Sequence, residues 1–386
     1  MSAANQGEMS ETGGTGPTGA VPMDAYDYGL PEAAIAQAPV EPRSAARLLV
    51  SGRVSGSGRM EHATVADLPT LLRPGDVVVV NDTRVLAARL QLVKATGGEA
   101  EVLLLEPIEG TGSRWEALVR PGRRLPPGTL LHEPAPAPGD GHHAPPDRRP
   151  VVEVGEPVAG HDDGRRSVVL IDPTVIERSG VMPLPPYIHR RLDDPERYQT
   201  VYAAELAPGE RSTAAPTAGL HFTPELLRAC REAGAEVVTV DLAIGLDTFR
   251  PITAPTPADH VIHTERYRVP AATLDACAAA GRVVAVGTTV VRALESAAST
   301  GRRSGRTDLF IYGKHTFRVV DVLVTNFHLP RSSLLLLVEA FCGEEWRQLY
   351  ATALDEGYRF LSFGDAMVVA RAGPKGTPVA RVEPGR

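Results

Sequence analysis

The chain has 386 residues, a formal net charge of −7 and a hydrophobic fraction of 43%, enough apolar material for a large domain and a smaller one. The acidic balance excludes a surface coated in positive charge for non-specific nucleic-acid binding, although it leaves room for a local basic patch. The three cysteines stand far apart without CxxC spacing, so neither a disulfide framework nor a zinc–thiolate site is indicated.

The two ends of the chain are predicted to be flexible tails, at 1–23 and 372–386. The first is rich in Gly, Ser, Thr and Ala and lacks the basic start and apolar run of a signal peptide. No eighteen consecutive apolar residues occur anywhere, so we expect no membrane span. The odd number of cysteines fits a reducing compartment, and we expect a cytoplasmic protein.

The first half of the chain predicts mostly short β-strands. A short helix is expected over 30–38, a strand over 47–50, a helix over 67–72 and a buried strand from Asp76 into a polar turn at Arg84. Short β-type runs then follow without helices between them, which is typical of a small antiparallel β-barrel. They lie at 91–94, 100–105, 114–120, 151–154 and 168–171, and a Pro/Gly/His-rich loop at 134–150 is predicted to be mobile.

The second half alternates helices with strands, which predicts parallel strands flanked by helices. Ligands in such folds bind at the carboxyl ends of the strands, where three polar turns fall, at 287–289, 326–328 and 364–365. The predicted helices are 224–233, 271–280, 291–298, 334–342 and 344–355, and the predicted strands are 236–243, 282–286 and 319–325.

The uncharged stretch Ser212–Phe222 is the candidate centre of the site. It delivers His221 to a helix start with Thr223 as N-cap, Pro224 at the first helical position and Glu225 in the first turn. Free N–H groups at such an end suit an anionic or polar ligand. A lone histidine is nevertheless more often a buried structural residue.

Standard catalytic signatures are missing: the sequence has no GxGxxG, Walker A, HExxH or GxSxG motif. His221 and His328 are candidate general acids or bases, because imidazole titrates near neutral pH. Asp365 is a candidate ligand for a ribose hydroxyl or a cationic group, with an Asx-turn as the alternative. For Arg292 the local alternative to binding a ligand is an ion pair with Glu295, three residues further along the helix.

Metal binding is not expected. His142 and His143 have no third ligand at useful spacing, and no carboxylate or cysteine motif completes a set with His260 and His263. The loop arginines Arg302, Arg303 and Arg306 would suit phosphates, although a solvated loop is the more ordinary interpretation.

Six short motifs, taken together and in this order, make the chain resemble the QueA family of S-adenosylmethionine:tRNA ribosyltransferase-isomerases. The resemblance runs from about Tyr26 to Val369, apart from the 134–150 loop, and includes 30–49 and 74–90. The motifs lie at 183–188, 198–203, 215–222, 286–289 with Arg292, 325–330 and 363–367.

The resemblance implies an α/β fold, in which a large barrel-like α/β catalytic domain (24–66 and 177–371) carries an inserted small antiparallel β-barrel domain (67–176). It also implies the reaction. The family transfers the ribosyl part of S-adenosylmethionine to the aminomethyl group of a 7-deazaguanine at the tRNA wobble position. The sugar is isomerised to an epoxycyclopentanediol, adenine and methionine leave, and the product is epoxyqueuosine in tRNA.

The motif residues supply a predicted site. His221 and His328 would carry the proton transfers, and Asp365, Thr217, Thr288 and Thr289 would hold ribose or sulfonium. Arg84 and Arg292 would hold the methionine carboxylate or a tRNA phosphate, since the guanidinium fork suits either. The further motif residues expected to bind substrate are Tyr187, Tyr198, Gly219 and Asn326.

S-adenosylmethionine is then a consumed substrate, and we expect no cofactor and no metal. The expected partner is the anticodon region of tRNA, and the expected state is a monomer. The chain departs from the usual family pattern at Ala243, where the family has histidine, at Asp247 and Val290, and in a longer approach at 208–211. Two alternatives therefore stay open: an enzyme of this fold with a small-molecule acceptor, and a non-catalytic paralogue that binds tRNA or a nucleoside.

Overall fold

The structure is a computed structural model that describes residues 21–108, 113–135, 149–158, 164–205, 211–245 and 251–376. Residues 1–20 and 377–386 of the predicted tails, most of the 134–150 loop with His142 and His143, residues 208–210 of the longer approach, and Asp247 lie outside those residues. The predicted bound of the first tail was wrong at its end, because Met23 is fully buried and begins a 3-10 turn. Within the described ranges no helix is long and apolar enough to cross a membrane.

Sixteen strands are present in the described residues. Numbered along the chain they are β1 Arg47–Val50, β2 Glu61–Thr64, β3 Asp76–Asn81, β4 Arg89–Lys94, β5 Glu99–Pro107, β6 Arg114–Arg120, β7 Thr129–His132, β8 Val152–Pro157, β9 Arg165–Leu170, β10 Gly180–Val181, β11 Glu236–Leu242, β12 Glu265–Arg268, β13 Arg282–Val286, β14 Ser304–Thr307, β15 Val322–Asn326 and β16 Ala366–Ala370.

Seven α-helices and several short 3-10 turns complete the described structure. The helices are α1 Gly52–Ser55, α2 Val175–Ser179, α3 Pro224–Glu232, α4 Ala271–Ala279, α5 Thr288–Thr300, α6 Ser333–Cys342 and α7 Glu345–Asp355. The predicted cap of α3 is present, because the side chain of Thr223 accepts a hydrogen bond from the backbone of Leu226. Ser332 caps α6 in the same way, by accepting from the backbone of Leu335.

The larger sheet has nine strands in the order β14-β12-β11-β3-β13-β15-β16-β1-β2. Its centre is parallel, because β11, β13 and β15 follow the direction set by β3. The strand β3 is buried along its whole length. Val77 and Val79 face one core, and Val78 and Val80 face the other. An unbroken valine run is what a strand covered on both faces requires.

The smaller sheet closes on itself. Its strands run β4-β5-β6-β9-β8-β7, and β7 pairs back to β4, so six antiparallel strands form a ring around their own hydrophobic core. The α/β class and the small β-barrel predicted from the sequence are therefore confirmed. The larger sheet is open, with β14 and β2 as its edges, whereas a barrel-like arrangement was expected. The exact domain boundaries stay a prediction.

Local predictions were least accurate where strands carry polar side chains. The helix expected over 30–38 was wrong: a 3-10 turn at Glu32–Ala34 stands there, between Pro31 and Pro39. Five strands were missed altogether, β2, β7, β10, β12 and β14. Three of them, β2, β12 and β14, have the polar sequences EHAT, ERYR and SGRT. Their extended form comes from pairing with neighbours, as in the antiparallel ladder of β12 and β14, and not from apolar alternation.

Candidate active site

The strand ends predicted to carry the site do converge. Gly287 adopts a positive φ of 95°, which lets β13 turn directly into α5. Two small cavities of about 20 Å³ each lie at this edge. Thr217, Asn326 and His328 line both of them. One is also lined by Thr288 and Thr289, and the other by Tyr187.

The polar side chains around the small cavities form hydrogen bonds with one another and with the nearby backbone. Thr217 Oγ1 donates to Asn326 Oδ1 at 3.0 Å, and Asn326 Nδ2 donates to the Leu361 carbonyl at 3.2 Å. Asn81 Nδ2 donates to Thr289 Oγ1 at 3.2 Å. Buried polar groups linked in this way are held rigidly, so this region presents a fixed polar wall with little open space.

His328 is buried at the junction of the two small cavities. Its Nε2 lies 2.9 Å from Thr325 Oγ1, and its backbone N–H donates to the Tyr350 hydroxyl at 2.9 Å. Burial lowers the pKa of His328 to about 3, because the charged imidazolium loses its hydration. The ring is therefore neutral at physiological pH and suits hydrogen bonding better than proton storage.

His221 is also buried, and both of its ring nitrogens face backbone carbonyls. Nε2 lies 2.9 Å from the Gly364 oxygen and Nδ1 lies 3.2 Å from the Ala218 oxygen. Burial lowers the pKa of this imidazole from its usual value, and a neutral ring has only one N–H to donate. His221 therefore connects two loops, and it lines none of the three cavities described here.

Asp365 has its carboxylate occupied by the backbone. Oδ1 accepts from the Arg47 N–H at 3.0 Å and Oδ2 from the Arg359 N–H at 2.8 Å, while the Arg359 guanidinium lies 3.6 Å away. These contacts join the start of β1 to the turn before β16. The side chain lines none of the three cavities, so its geometry favours a structural role.

Three other predicted residues lie in the packing around the strand ends. Tyr198 is fully buried and meets Phe363 edge to face, with ring centroids 6.0 Å apart. A Cβ at Gly219 would lie only 2.0 Å from the Tyr202 hydroxyl, so any larger residue would displace the Tyr202 ring. Arg84 forms an ion pair with Glu196, Nη2 to Oε1, at 3.3 Å.

A large cavity of about 520 Å³ lies beside the strand ends and reaches the barrel. Leu105 and Pro107 at the end of β5 form part of its wall, and Ser212 and Thr213 form another part. Ile244 and Leu334 line both this cavity and one of the small ones, so the two spaces adjoin. The barrel and the large sheet together therefore enclose a ligand-sized space.

Five arginines and two glutamates line the large cavity, so its wall is positive although the whole chain is acidic. Such a wall favours anionic groups of a ligand. Arg306 of β14 links the larger sheet to the barrel, since its Nη1 donates to Glu106 Oε2 of β5 at 2.9 Å. The charged residues are Arg165, Arg211, Arg266, Arg292, Arg306, Glu106 and Glu265. Arg302 and Arg303 do not line the cavity and are exposed.

Arg292 projects from the second turn of α5 into the wall of this cavity. The local pairing with Glu295 is wrong: Arg292 Nη1 forms a buried ion pair with Glu265 of β12. Glu295 instead accepts hydrogen bonds from the backbone N–H groups of 318–320 at 2.8–3.1 Å. Buried carboxylates are usually paired or hydrogen-bonded in this way.

The sequence-based site missed most of the large cavity. His260 and His263, considered only as a metal pair, both line it, and the His260 ring lies edge to face against Phe310 at 5.4 Å. No group of three or more metal-ligating side chains occurs in the described part of the chain. A clue was present, because two histidines three residues apart beside Glu265 form a polar cluster outside any helix.

Two of the positions that depart from the family pattern lie in the described residues. Ala243 lines the large cavity, so a methyl group stands where the pattern has an imidazole. Val290, which stands where the family pattern has serine, is fully buried in the first turn of α5 and belongs to the main core, where a serine hydroxyl would need a hydrogen-bond partner.

Comparison with known proteins adds an independent finding. A family model described as "Queuosine biosynthesis protein" matches residues 23–369. An S-adenosylmethionine:tRNA ribosyltransferase-isomerase of Moorella thermoacetica is 49% identical over 90% of this chain and 99% of its own length. One of Thermus thermophilus is 48% identical with the same coverage. A crystal structure of an S-adenosylmethionine tRNA ribosyltransferase from Thermotoga maritima is 34% identical, covers 89% of this chain and 99% of its own, and has a TM-score of 0.48.

Proposed function

The chain belongs to the queuosine biosynthesis family, and on that basis we propose that it is an S-adenosylmethionine:tRNA ribosyltransferase-isomerase. The observation that carries this proposal is the match to relatives of that name over nine-tenths of the chain and nearly all of theirs. The ribosyl group of S-adenosylmethionine is transferred to the aminomethyl group of 7-aminomethyl-7-deazaguanine in tRNA and rearranged, giving epoxyqueuosine.

The reaction sets requirements that the site has to meet. The sulfonium acidifies the 5′-carbon of the ribose, and a base removes a proton there. The attacking amine must be neutral, so it also loses a proton before it acts as a nucleophile. Adenine leaves from the 1′-carbon and gains a proton, and methionine leaves with its sulfur as a thioether. Proton transfer and positioning are therefore what the chain's side chains contribute, and S-adenosylmethionine is consumed as substrate.

The large cavity supports binding of S-adenosylmethionine. Its volume of about 520 Å³ lies within the usual range of small-molecule sites, roughly 300–1,000 Å³. Its arginines suit a carboxylate, and Phe310 offers an aromatic surface. Thr217, Thr288, Thr289 and Asn326 lie in the adjoining small cavities, where they would hold the ribose hydroxyls.

The proton transfers are assigned to the histidines that line the large cavity, His260 and His263. His328, kept neutral by burial that lowers its pKa to about 3, would orient the ribose through a hydrogen bond. His221 and Asp365 would keep the loops of the small cavities in place through their backbone contacts. Binding of the tRNA anticodon region and a monomeric state are further parts of the proposal.

One experiment separates this function from the alternatives. The protein is incubated with S-adenosylmethionine and either tRNA carrying the aminomethyl-deazaguanine, the same tRNA with guanine, or the free modified nucleoside, and released adenine is measured. Release with the modified tRNA alone supports the proposal. Release with the free nucleoside would identify a small-molecule acceptor, while binding of both substrates without adenine release would identify a non-catalytic paralogue.

A further inference from the structure

Arg292 has a buried hydrogen-bond donor that the protein does not use. Its Nη1 pairs with Glu265 and its Nε donates to the Leu309 carbonyl at 3.1 Å. Its Nη2 is buried and has no hydrogen-bond partner among the described residues. Only 8% of the side chain is exposed, and the residue lines the large cavity. A buried charged donor without a hydrogen-bond acceptor costs free energy unless a ligand supplies the acceptor.

The surroundings of Arg292 favour an anion as that ligand. The residue lies near the N-terminal end of α5, where the helix dipole stabilises negative charge and disfavours a cation. Glu265 neutralises one charge, but four other arginines line the same cavity. Glu265 itself is fixed, because its Oε1 accepts from the Gly245 N–H at 3.1 Å. The guanidinium is therefore held in place, with Nη1 and Nε bonded to the protein and Nη2 unused.

The position along α5 indicates which anion is bound. Thr288 and Thr289 precede Arg292 by four and three residues, so the three side chains share one helix face. The rise of about 1.5 Å per residue places Thr288 about 6 Å and Thr289 about 4.5 Å from Arg292 along the axis. In S-adenosylmethionine two methylene groups separate the amino-acid head from the sulfur and its ribose. A carboxylate at Arg292 would thus place the ribose near the threonines.

We propose that Arg292 binds the carboxylate of the methionine moiety of S-adenosylmethionine through Nη2, and that Glu265 is the residue that positions it. This inference rests on the proposed function, because it takes S-adenosylmethionine as the ligand of the large cavity. It selects the carboxylate over a tRNA phosphate, and Arg292 over Arg84, whose guanidinium forms an ion pair with Glu196 and lines none of the three cavities.

The test compares S-adenosylmethionine with its decarboxylated analogue, which keeps the amine, the sulfonium and the nucleoside. Dissociation constants are measured by calorimetry without tRNA. Wild-type protein should prefer S-adenosylmethionine by roughly 10- to 100-fold, the usual size of a charge-assisted buried hydrogen bond. In Arg292→Gln that preference should fall to about threefold or less, through weaker binding of S-adenosylmethionine, with the affinity for the analogue nearly unchanged. Arg303→Gln, an exposed arginine just beyond α5, is the control and should keep the wild-type preference.

The same series of variants needs a control for loss of stability. Arg292→Gln leaves Glu265 buried without its partner, and such losses destabilise proteins. If that variant fails to melt cooperatively, Arg292→Gln/Glu265→Gln removes both charges, keeps an amide pair and is measured in its place.

A wild-type protein without preference for S-adenosylmethionine, or a substituted protein with the wild-type preference, would overturn the inference. So would a rise in KM for tRNA with KM for S-adenosylmethionine unchanged, which would assign Arg292 to a phosphate. These outcomes are distinct from failure of the proposed function, which shows as wild-type protein that releases no adenine.

Discussion

The large cavity and the strand-end region beside it differ in almost every physical property. The cavity has about 520 Å³ of space and a wall of charged residues, whereas each strand-end cavity has about 20 Å³ and a wall of neutral side chains bonded to one another, such as Thr217 and Asn326. Most of the residues that carry the family resemblance belong to the second region. The space for a ligand belongs mainly to the first.

The difference indicates that the two regions have separate roles. His221 and Asp365 use their polar atoms to bond backbone groups of neighbouring loops, which fixes the shape of the strand ends. Arg292 and His263 belong to the other wall and face the open cavity. A rigid strand-end region and a charged large cavity together give a site in which binding groups are held by a fixed scaffold.

Substitution of His263 tests this division most strongly. His263→Gln removes an ionisable ring from the cavity, so kcat for adenine release with modified tRNA should fall by roughly 10²- to 10⁴-fold, the range for loss of a general acid or base. The thermal midpoint should stay near that of the wild type, because the ring is only partly buried. The matched control is His189→Gln, an exposed histidine whose backbone N–H donates to Gln37 Oε1 at 2.9 Å.

Unchanged turnover in His263→Gln, with His260→Gln equally active, would remove proton transfer from the large cavity. Proton transfer would then be assigned to the strand-end region, since His328 there is the remaining histidine that lines a described cavity.

Substitution of Asp365 tests the scaffold side of the comparison. An asparagine at this position keeps one carbonyl oxygen, so one of the backbone N–H groups of Arg47 and Arg359 loses its acceptor. The free energy of unfolding should fall by about 2 kcal/mol, measured by urea denaturation, while the dissociation constant for S-adenosylmethionine changes little. The exposed Asp355→Asn at the end of α7 should leave both quantities unchanged.

The opposite pattern for Asp365→Asn, with full stability and weakened binding of S-adenosylmethionine, would show that the carboxylate contacts the ligand. Asp365 would then join the binding wall, and the boundary between the two regions would move to include the turn before β16.

The sequence predicted the strand-end region better than the cavity, for a physical reason. Buried strands such as β3 and β13 are recognisable from their unbroken valine runs, and the cap at Thr223 follows from local rules. Both depend on neighbours in sequence, and so do the polar turns that follow β13 and β15. The carboxyl ends of those strands converge as expected.

The cavity depends on contacts between distant segments, which no local pattern reveals. The partner of Arg292 is Glu265, 27 residues away on an edge ladder of polar strands, and not Glu295 on the same helix. The barrel contributes Glu106 to the same wall through an ion pair with Arg306, 200 residues away. The motif around His221 predicted a site residue, but only the structure shows that both ring nitrogens face carbonyls.

The smallest expected effect is a pH dependence of stability that arises in the strand-end region. The pKa of His328 is lowered to about 3 in the folded state, while an unfolded chain has a histidine pKa near 6.5. Below pH 6.5 the unfolded state therefore binds a proton that the folded state does not, and stability falls as the pH falls. This group alone should cost about 1 kcal/mol between pH 6.5 and 5.5.

Denaturant unfolding of wild type and His328→Gln at pH 7.5, 6.5 and 5.5 measures that dependence. The comparison uses the slope with pH and not the absolute stability, since the substitution also removes the contact with Thr325. The slope should be smaller in His328→Gln by about 1 kcal/mol over the last pH unit. Equal slopes would mean that His328 takes up its proton over the same pH range in the folded and unfolded chains, and the ring that becomes charged below that range would make the strand-end region, like the large cavity, a place for an anion.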